Sequence, residues 1–392
     1  MTLSNGRPYL AIPGPSVMPD SVLRAMMRPA PNIYEGELHN LANGLVPDLK
    51  YVAGTEHFVA IYIGNGHAVW EAALCNVASR GDKVLVPVNG RFGHGWADMA
   101  QGLHLDVEML EHGMEAAVDP ARIEAALRAD TEHKIRAVTL CHVDTSTGIR
   151  NDVPAIRRAM DASGHPALLM VDCIASLGCD EMKMDEWGVD VIVAASQKGL
   201  MTPPGLGFVW FNDKADAARN TADLASRYWD WRPRATPDFF HQYWGGTAPT
   251  HHLYALRAAL DLIRAEGLDH IWARHSQLAK MIWTAIETWG QKGEMRLNMA
   301  DAAHRSHAVT SVHLGHNDAD RLRHWCEHEA GVTLGIGLGR TPDSAWFRIG
   351  HMGHINAHMV LGVIATIDAG LKALQIPHGD GAVEAATRLL SA

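Results

Sequence analysis

Between residues 58 and 211 the chain alternates short apolar runs with segments of helical spacing. The runs fall at 58–63, 83–88, 135–141, 167–171, 189–195 and 207–211. Several are apolar throughout, as strands buried on both faces are. Helical patterns and charged connections separate them, which predicts a mostly parallel sheet with crossover helices. Leu253, Leu256, Leu260 and Ile263 recur at helical spacing before Gly267, so 253–266 reads as a helix with a glycine cap. Beyond it the pattern changes. Strands are expected at 307–314 and 346–349, and helices at 318–330 and 356–374, with a short helical pattern at 383–390. The division that follows is an N-terminal arm at 1–15, a large domain at 16–265 and a smaller C-terminal α/β domain at 266–392.

Composition narrows the function classes. The 392 residues allow two or three domains and a large core. A hydrophobic share of 47% with 20% charged residues is an ordinary globular balance. The net charge of −10 argues against a phosphate-backbone binder, so no nucleic-acid partner is expected. No apolar run approaches the roughly 20 residues of a membrane span. Cys75, Cys141, Cys173, Cys179 and Cys326 are odd in number and irregularly spaced, which fits a reducing, cytoplasmic setting. Histidines number 24, and His324 and His328 share one helix face. With no His-Glu-x-x-His and no paired Cys-x-x-Cys, they read as scattered surface groups, and no metal is expected.

Chemistry is sought at the carboxyl ends of the strands, where such sheets bind ligands. Lys198, in Ser196-Gln197-Lys198-Gly199, follows the buried run 189–195. Desolvation there favours a neutral, nucleophilic amine; a solvated loop lysine is the ordinary alternative. Asp172 ends the run 167–171, 26 residues earlier. An aspartate and a lysine at one sheet edge suit pyridoxal 5'-phosphate (PLP), the lysine binding its aldehyde and the aspartate its ring nitrogen. A capping role remains the alternative for Asp172. Ile63-Gly64-Asn65-Gly66-His67 ends a strand and opens a helix, an arrangement able to receive a phosphate. Phe92 offers a flat face, and Thr145 and Ser146 offer hydroxyls. Arg348, between Phe347 and Ile349, suits a carboxylate or a structural ion pair.

Together these motifs resemble the class V aminotransferases, within the fold-type I PLP enzymes. The resemblance is nearest to the alanine–glyoxylate, serine–glyoxylate and serine–pyruvate branch. It runs through Pro13-Gly14-Pro15, Gly64-Asn65-Gly66-His67, Asn89-Gly90-Arg91-Phe92-Gly93 and Asp144-Thr145-Ser146-Thr147-Gly148. It continues through Val171-Asp172-Cys173-Ile174-Ala175-Ser176, Ser196-Gln197-Lys198-Gly199 and Phe347-Arg348-Ile349-Gly350-His351-Met352-Gly353. It implies that Lys198 is the Schiff-base lysine and proton shuttle, and that Asp172 pairs with the ring nitrogen. Ile174 and Phe92 would sandwich the ring, with Thr145 or Ser146 near its hydroxyl. Gly66, His67 and Gln197 would hold the phosphate, joined by Thr247 from a neighbouring subunit. Arg348 would bind the substrate carboxylate, and the segment around Tyr34 would line the substrate side.

The implied protein is a homodimer with shared active sites, exchanging an amino group between a small L-amino acid and glyoxylate or pyruvate. Arg91 and Arg340 stay open as a second carboxylate site. Asn65 stands where many relatives carry Ser or Thr, and Trp244 where some carry a tyrosine that reaches across the dimer. Residues 34–35, 141–145 and 348–353 also resemble pyridoxamine–pyruvate transaminase, which takes free pyridoxamine as substrate. A PLP lyase or decarboxylase would share the same signals but need no 2-oxo acid acceptor.

Overall fold

The computed structural model describes residues 3–390. Its strands, in chain order, are β1 (Tyr9–Ala11), β2 (Phe58–Gly64), β3 (Lys83–Val88), β4 (Asp106–Glu111), β5 (Ile135–Cys141), β6 (Val143–Asp144), β7 (Ile149–Arg150), β8 (Leu168–Asp172), β9 (Val191–Ala195), β10 (Gly205–Phe211), β11 (Arg296–Leu297), β12 (Val309–His313), β13 (Val332–Ile336) and β14 (Trp346–Gly350). Seven of them form one sheet in the order β2-β10-β9-β8-β5-β3-β4. All neighbours are parallel except β10, which runs antiparallel to β2 and β9. This is the mostly parallel α/β sheet that the apolar runs predict.

The continuous apolar runs have a simple cause. Every residue of β8 and of β9 is buried. Leu169 and Val171 face one hydrophobic cluster, and Leu168 and Met170 face another on the opposite side. A strand covered on both faces has no polar position to spare. β4 was not predicted from the sequence, and its place explains why. It lies at the open edge of the sheet, and Asp106, Glu108 and Glu111 interrupt its apolar pattern.

The second sheet has the order β1-β13-β14-β12-β11. β1 lies within the segment expected as an arm and pairs with β13 in parallel. Helices Leu268–Trp289, Asp318–Ala330 and Ala357–Ala373 cover this sheet through a separate cluster that includes Ile282, Leu322, Phe347 and Ile367.

A buried polar cluster joins the loops of the two sheets. The Asp180 carboxylate accepts from the Ser306 hydroxyl (3.0 Å) and the His307 amide (2.9 Å), and meets the His307 ring at 3.3 Å and Arg150 at 3.5 Å. Burial alone would raise its pKa. His307 and Arg150 outweigh burial and hold it below the usual carboxylate range. Burial also depresses nearby His142 and His351 to about 4, and His275 to about 3. Unfolded imidazoles titrate near ~6.5, so below that pH the unfolded chain binds more protons. The histidine contribution is therefore complete above pH ~6.5 and shrinks as pH falls toward the folded values. Each buried histidine loses about 2 kcal/mol by pH ~5. Asp180 adds its own loss only below pH ~4, as its carboxylate protonates. The melting temperature is accordingly expected to fall between pH 7 and pH 5; an unchanged value would show that these imidazoles are not held neutral.

Candidate active site

Strands β5, β8 and β9 end side by side, with Cys141 opposite Asp172 and Asp172 opposite Val193. Asp172 is 3% exposed. Its Oδ1 accepts the Ile174 amide at 2.7 Å, and its Oδ2 accepts the Trp70 indole N–H at 3.0 Å. The Cys141 thiol lies 3.8 Å from the same Oδ2. Burial raises the Asp172 pKa to about 7 in spite of these donors.

After β9 the chain turns through Ser196, whose hydroxyl donates to the Pro203 carbonyl at 2.6 Å. Lys198 then reaches toward the N-terminal Pro-Gly-Pro turn. Its Nζ donates to the Pro13 carbonyl, and the Ser16 hydroxyl donates to the Lys198 carbonyl at 2.7 Å. Gly14 has φ +93°, and a Cβ there would fall 2.6 Å from Lys198 Cδ and 2.7 Å from Cε. The backbone angle calls for glycine, and a side chain there would also displace the end of the passing lysine. Burial, then the Arg348 charge, lower the Lys198 pKa to about 8.

The helix Gly66–Val77 stands beside Asp172, to which its Trp70 donates. Gly66 is buried, and a Cβ on it would overlap the half-buried Ile174 side chain. The exposed His67 ring lies 4.7 Å from Trp70, which stands edge-on to half-buried Phe92 at 6.2 Å. The Phe92 amide donates to Asp144 Oδ2 at 2.8 Å, and the Ser146 hydroxyl donates to Asp144 Oδ1 at 2.6 Å. Ser146 is thereby committed to Asp144, whereas the neighbouring Thr145 hydroxyl has no partner among the described residues. Arg348 crosses from the second sheet. Its Nη1 donates to the Thr145 carbonyl (2.9 Å) and its Nε to the Ile336 carbonyl (2.7 Å). Burial lowers its pKa to about 10, still far into the charged range at neutral pH.

The fold therefore brings Lys198, Asp172, Ile174, Gly66, His67, Phe92, Thr145, Ser146, Gln197 and Arg348 to one region. Tyr34 and Thr247 stay outside it. Tyr34 is 84% exposed, Thr247 is exposed, and neither bonds to the Lys198 cluster among the described residues. Trp244 does not reach outward; it is 1% exposed and packs on Phe240 and Tyr243 of its own chain. Three participants escaped the sequence reading. Trp70 and Cys141 read as apolar helix and strand residues, and the Pro13 carbonyl carries no side-chain signal.

The family model for aminotransferase class-V matches residues 47–349. The chain belongs to the class V aminotransferases. It is 37% identical to the serine–glyoxylate aminotransferase of Methylorubrum extorquens, over 98% of this chain and 96% of the relative. It is 36% identical to the L-aspartate–glyoxylate aminotransferase of Paracoccus denitrificans, over 93% of this chain and 91% of the relative. Among solved structures it superposes on the ureidoglycine–glyoxylate aminotransferase of Bacillus subtilis with a TM-score of 0.89 at 27% identity, covering 99% of each chain. The pyridoxamine–pyruvate aminotransferase of Mesorhizobium loti shares the fold, with a TM-score of 0.90 at 24% identity over 100% of this chain and 99% of the other.

This class V aminotransferase is a PLP-dependent enzyme. Its residues fit that cofactor. The absence of a Cβ at Gly66 keeps the helix start close to Ile174. Asp172 is a buried carboxylate that faces hydrogen-bond donors but forms no ion pair among the described residues, so a protonated ring nitrogen would supply its missing counter-charge.

Proposed function

We propose that this enzyme moves the amino group of a small L-amino acid (serine, aspartate or alanine) to glyoxylate or pyruvate. One observation carries the reading: the Lys198 amine, the Asp172 carboxylate and the Arg348 guanidinium converge at one sheet edge, in a chain whose relatives include glyoxylate aminotransferases. Each turnover is balanced as two half-reactions. A donor amino acid leaves as its 2-oxo acid, and the acceptor leaves as a new amino acid, in ping-pong order.

Lys198 would hold the PLP aldehyde and Asp172 its ring nitrogen, with Ile174 and Phe92 on the ring faces. Thr145 would meet the ring hydroxyl, with Ser146 positioned behind it through Asp144. Gly66, His67 and Gln197 would receive the phosphate. When bound, PLP supplies a carbon that carries the amino group and a ring that draws off the electrons left by the departing α-proton. The protein does the rest. Arg348 fixes the substrate carboxylate and so orients the α-carbon. Lys198 Nζ, its pKa lowered to about 8, accepts the α-proton and gives it up again beyond the amino nitrogen.

Tyr34 and Thr247, exposed in one chain, would complete the neighbouring subunit's site in a homodimer. The domain division at 265/266 lies in the last turn of helix Thr250–Glu266, next to Gly267 (φ +82°), which separates it from helix Leu268–Trp289. Five free, buried cysteines support a reducing cytoplasm. No helix among the described residues is long and apolar enough to cross a membrane.

The test supplies glyoxylate, and separately pyruvate, with L-serine, L-aspartate or L-alanine, and follows glycine or alanine and the matching 2-oxo acid. Stoichiometric product with at least one donor is expected; none with any donor would overturn the reading. One feature favours a second reading, in which free pyridoxamine is a substrate. Asn65 Oδ1 accepts from the His67 (3.1 Å) and Ala68 (3.4 Å) amides, so donors at the helix start are already engaged. Pyridoxal and alanine formed from pyridoxamine and pyruvate would identify that activity. Replacing Arg348 with alanine is expected to raise KM for both acids about 10–100-fold with a smaller fall in kcat; unchanged kinetics would remove its carboxylate role.

A further inference from the structure

Three arginines stand where the loops of the two sheets meet, and their hydrogen bonds tell them apart. Arg348 is half committed, through Nε and Nη1. Arg340 is occupied. Its Nη2 donates to Asn298 Oδ1 (2.5 Å) and to the Met114 carbonyl (3.3 Å), and its guanidinium lies 4.0 Å over the Trp346 ring. Arg91 differs from both. Its backbone N–H donates to the Ser146 hydroxyl at 2.9 Å, but its guanidinium has no hydrogen-bond or ion-pair partner among the described residues. Its stem passes the loop that carries Arg340, 3.1 Å from where a Cβ on Gly339 would stand.

The Thr145-Ser146 dipeptide links the two relevant cations. The Thr145 carbonyl holds Arg348, and the Ser146 hydroxyl holds the Arg91 backbone. We propose that Arg91 is the subsite for the side-chain carboxylate of a dicarboxylic amino donor, with Arg348 taking the α-carboxylate. This deepens the proposed amino transfer and rests on it. The chemistry favours Arg91 over Arg340. The exposed Arg91 guanidinium has its whole donor fork free for a carboxylate, whereas half-buried Arg340 keeps Nη2 on Asn298 and its face on Trp346 and has only Nε and Nη1 to offer. The Arg91 charge also acts on His67, contributing to its lowered pKa after burial. An arriving carboxylate would relieve that repulsion.

The experiment uses the PLP-loaded enzyme, its R91Q variant and its R91K variant. The ratio of kcat/KM for L-aspartate to that for L-alanine, with glyoxylate as acceptor, is expected to fall at least about tenfold in R91Q, the change made by 1.4 kcal/mol. R91K should keep part of the ratio, because it keeps the charge but loses the fork. Binding of unreactive maleate and propionate, read from the cofactor absorbance, should show the same loss for the dicarboxylate. An aspartate-to-alanine ratio unchanged within about twofold in R91Q would overturn the subsite. If neither amino acid reacts in the wild type, the maleate-to-propionate ratio still decides the subsite, and the proposed function falls only if L-serine, and pyruvate as acceptor, fail as well.

Discussion

Replacing Lys198 with alanine is expected to remove turnover, by about 10⁴-fold or more. The amine has two tasks in this account, tethering the cofactor and moving the α-proton, and its surroundings prepare both. Burial and Arg348 bring its pKa to about 8, so near neutrality a usable fraction is uncharged. The two lysines that flank it in the sequence are engaged elsewhere: Lys183 is a surface residue paired to Glu181 and Glu186, and Lys214 bonds to Asp190 and the Ala167 carbonyl. The K198A protein should still fold, since Lys198 Nζ makes one hydrogen bond, to Pro13. Its activity against alanine and glyoxylate, measured with circular dichroism to confirm folding, checks the prediction. Full activity in a folded K198A protein would remove the mechanism.

The Asp172→Asn change should be nearly as damaging, with activity lower by about 10³-fold. Asparagine keeps the shape but not the charge. A neutral amide cannot hold a protonated ring nitrogen, so electron withdrawal from the substrate weakens. The local geometry adds a second cost. Ile174 N–H and Trp70 N–H point at two carboxylate oxygens, and an asparagine amide offers one acceptor. One donor would lose its partner in a buried site, which costs about 1–3 kcal/mol. The variant is therefore expected to bind PLP more weakly as well as react more slowly. Equilibrium dialysis of PLP together with steady-state rates separates the two effects. Activity within tenfold of the wild type would show that Asp172 does not carry the ring nitrogen.

The strands carrying the site were legible because of where they lie. β8 and β9 are central, covered on both faces, and so written as apolar runs, while Arg136 and Thr139 interrupt β5. Asp172 and Lys198 stood out because each follows directly on such a run. β4 was lost because an edge strand tolerates Asp106, Glu108 and Glu111. β13, with Thr333 and Gly335 among five residues, has too short an apolar pattern to read. Trp70 was hidden for another reason. Its indole is a helix-face residue by spacing, and only the placement of the helix Gly66–Val77 across β9 and β10 brings its N–H to Asp172. Cys141 needed the strand register, and Pro13 acts through its backbone. Arg91 and Arg340 could not be ranked from sequence, because what separates them is the set of acceptors each guanidinium meets.

The central claim is that Lys198 holds the cofactor. It is tested most directly by reducing the PLP-loaded enzyme with borohydride, which fixes the cofactor to its lysine, and mapping the peptides by mass spectrometry. The account predicts a single phosphopyridoxyl adduct on the peptide containing Ser196-Gln197-Lys198-Gly199. An adduct confined to another lysine, or no adduct on a protein that retains bound PLP, would contradict it.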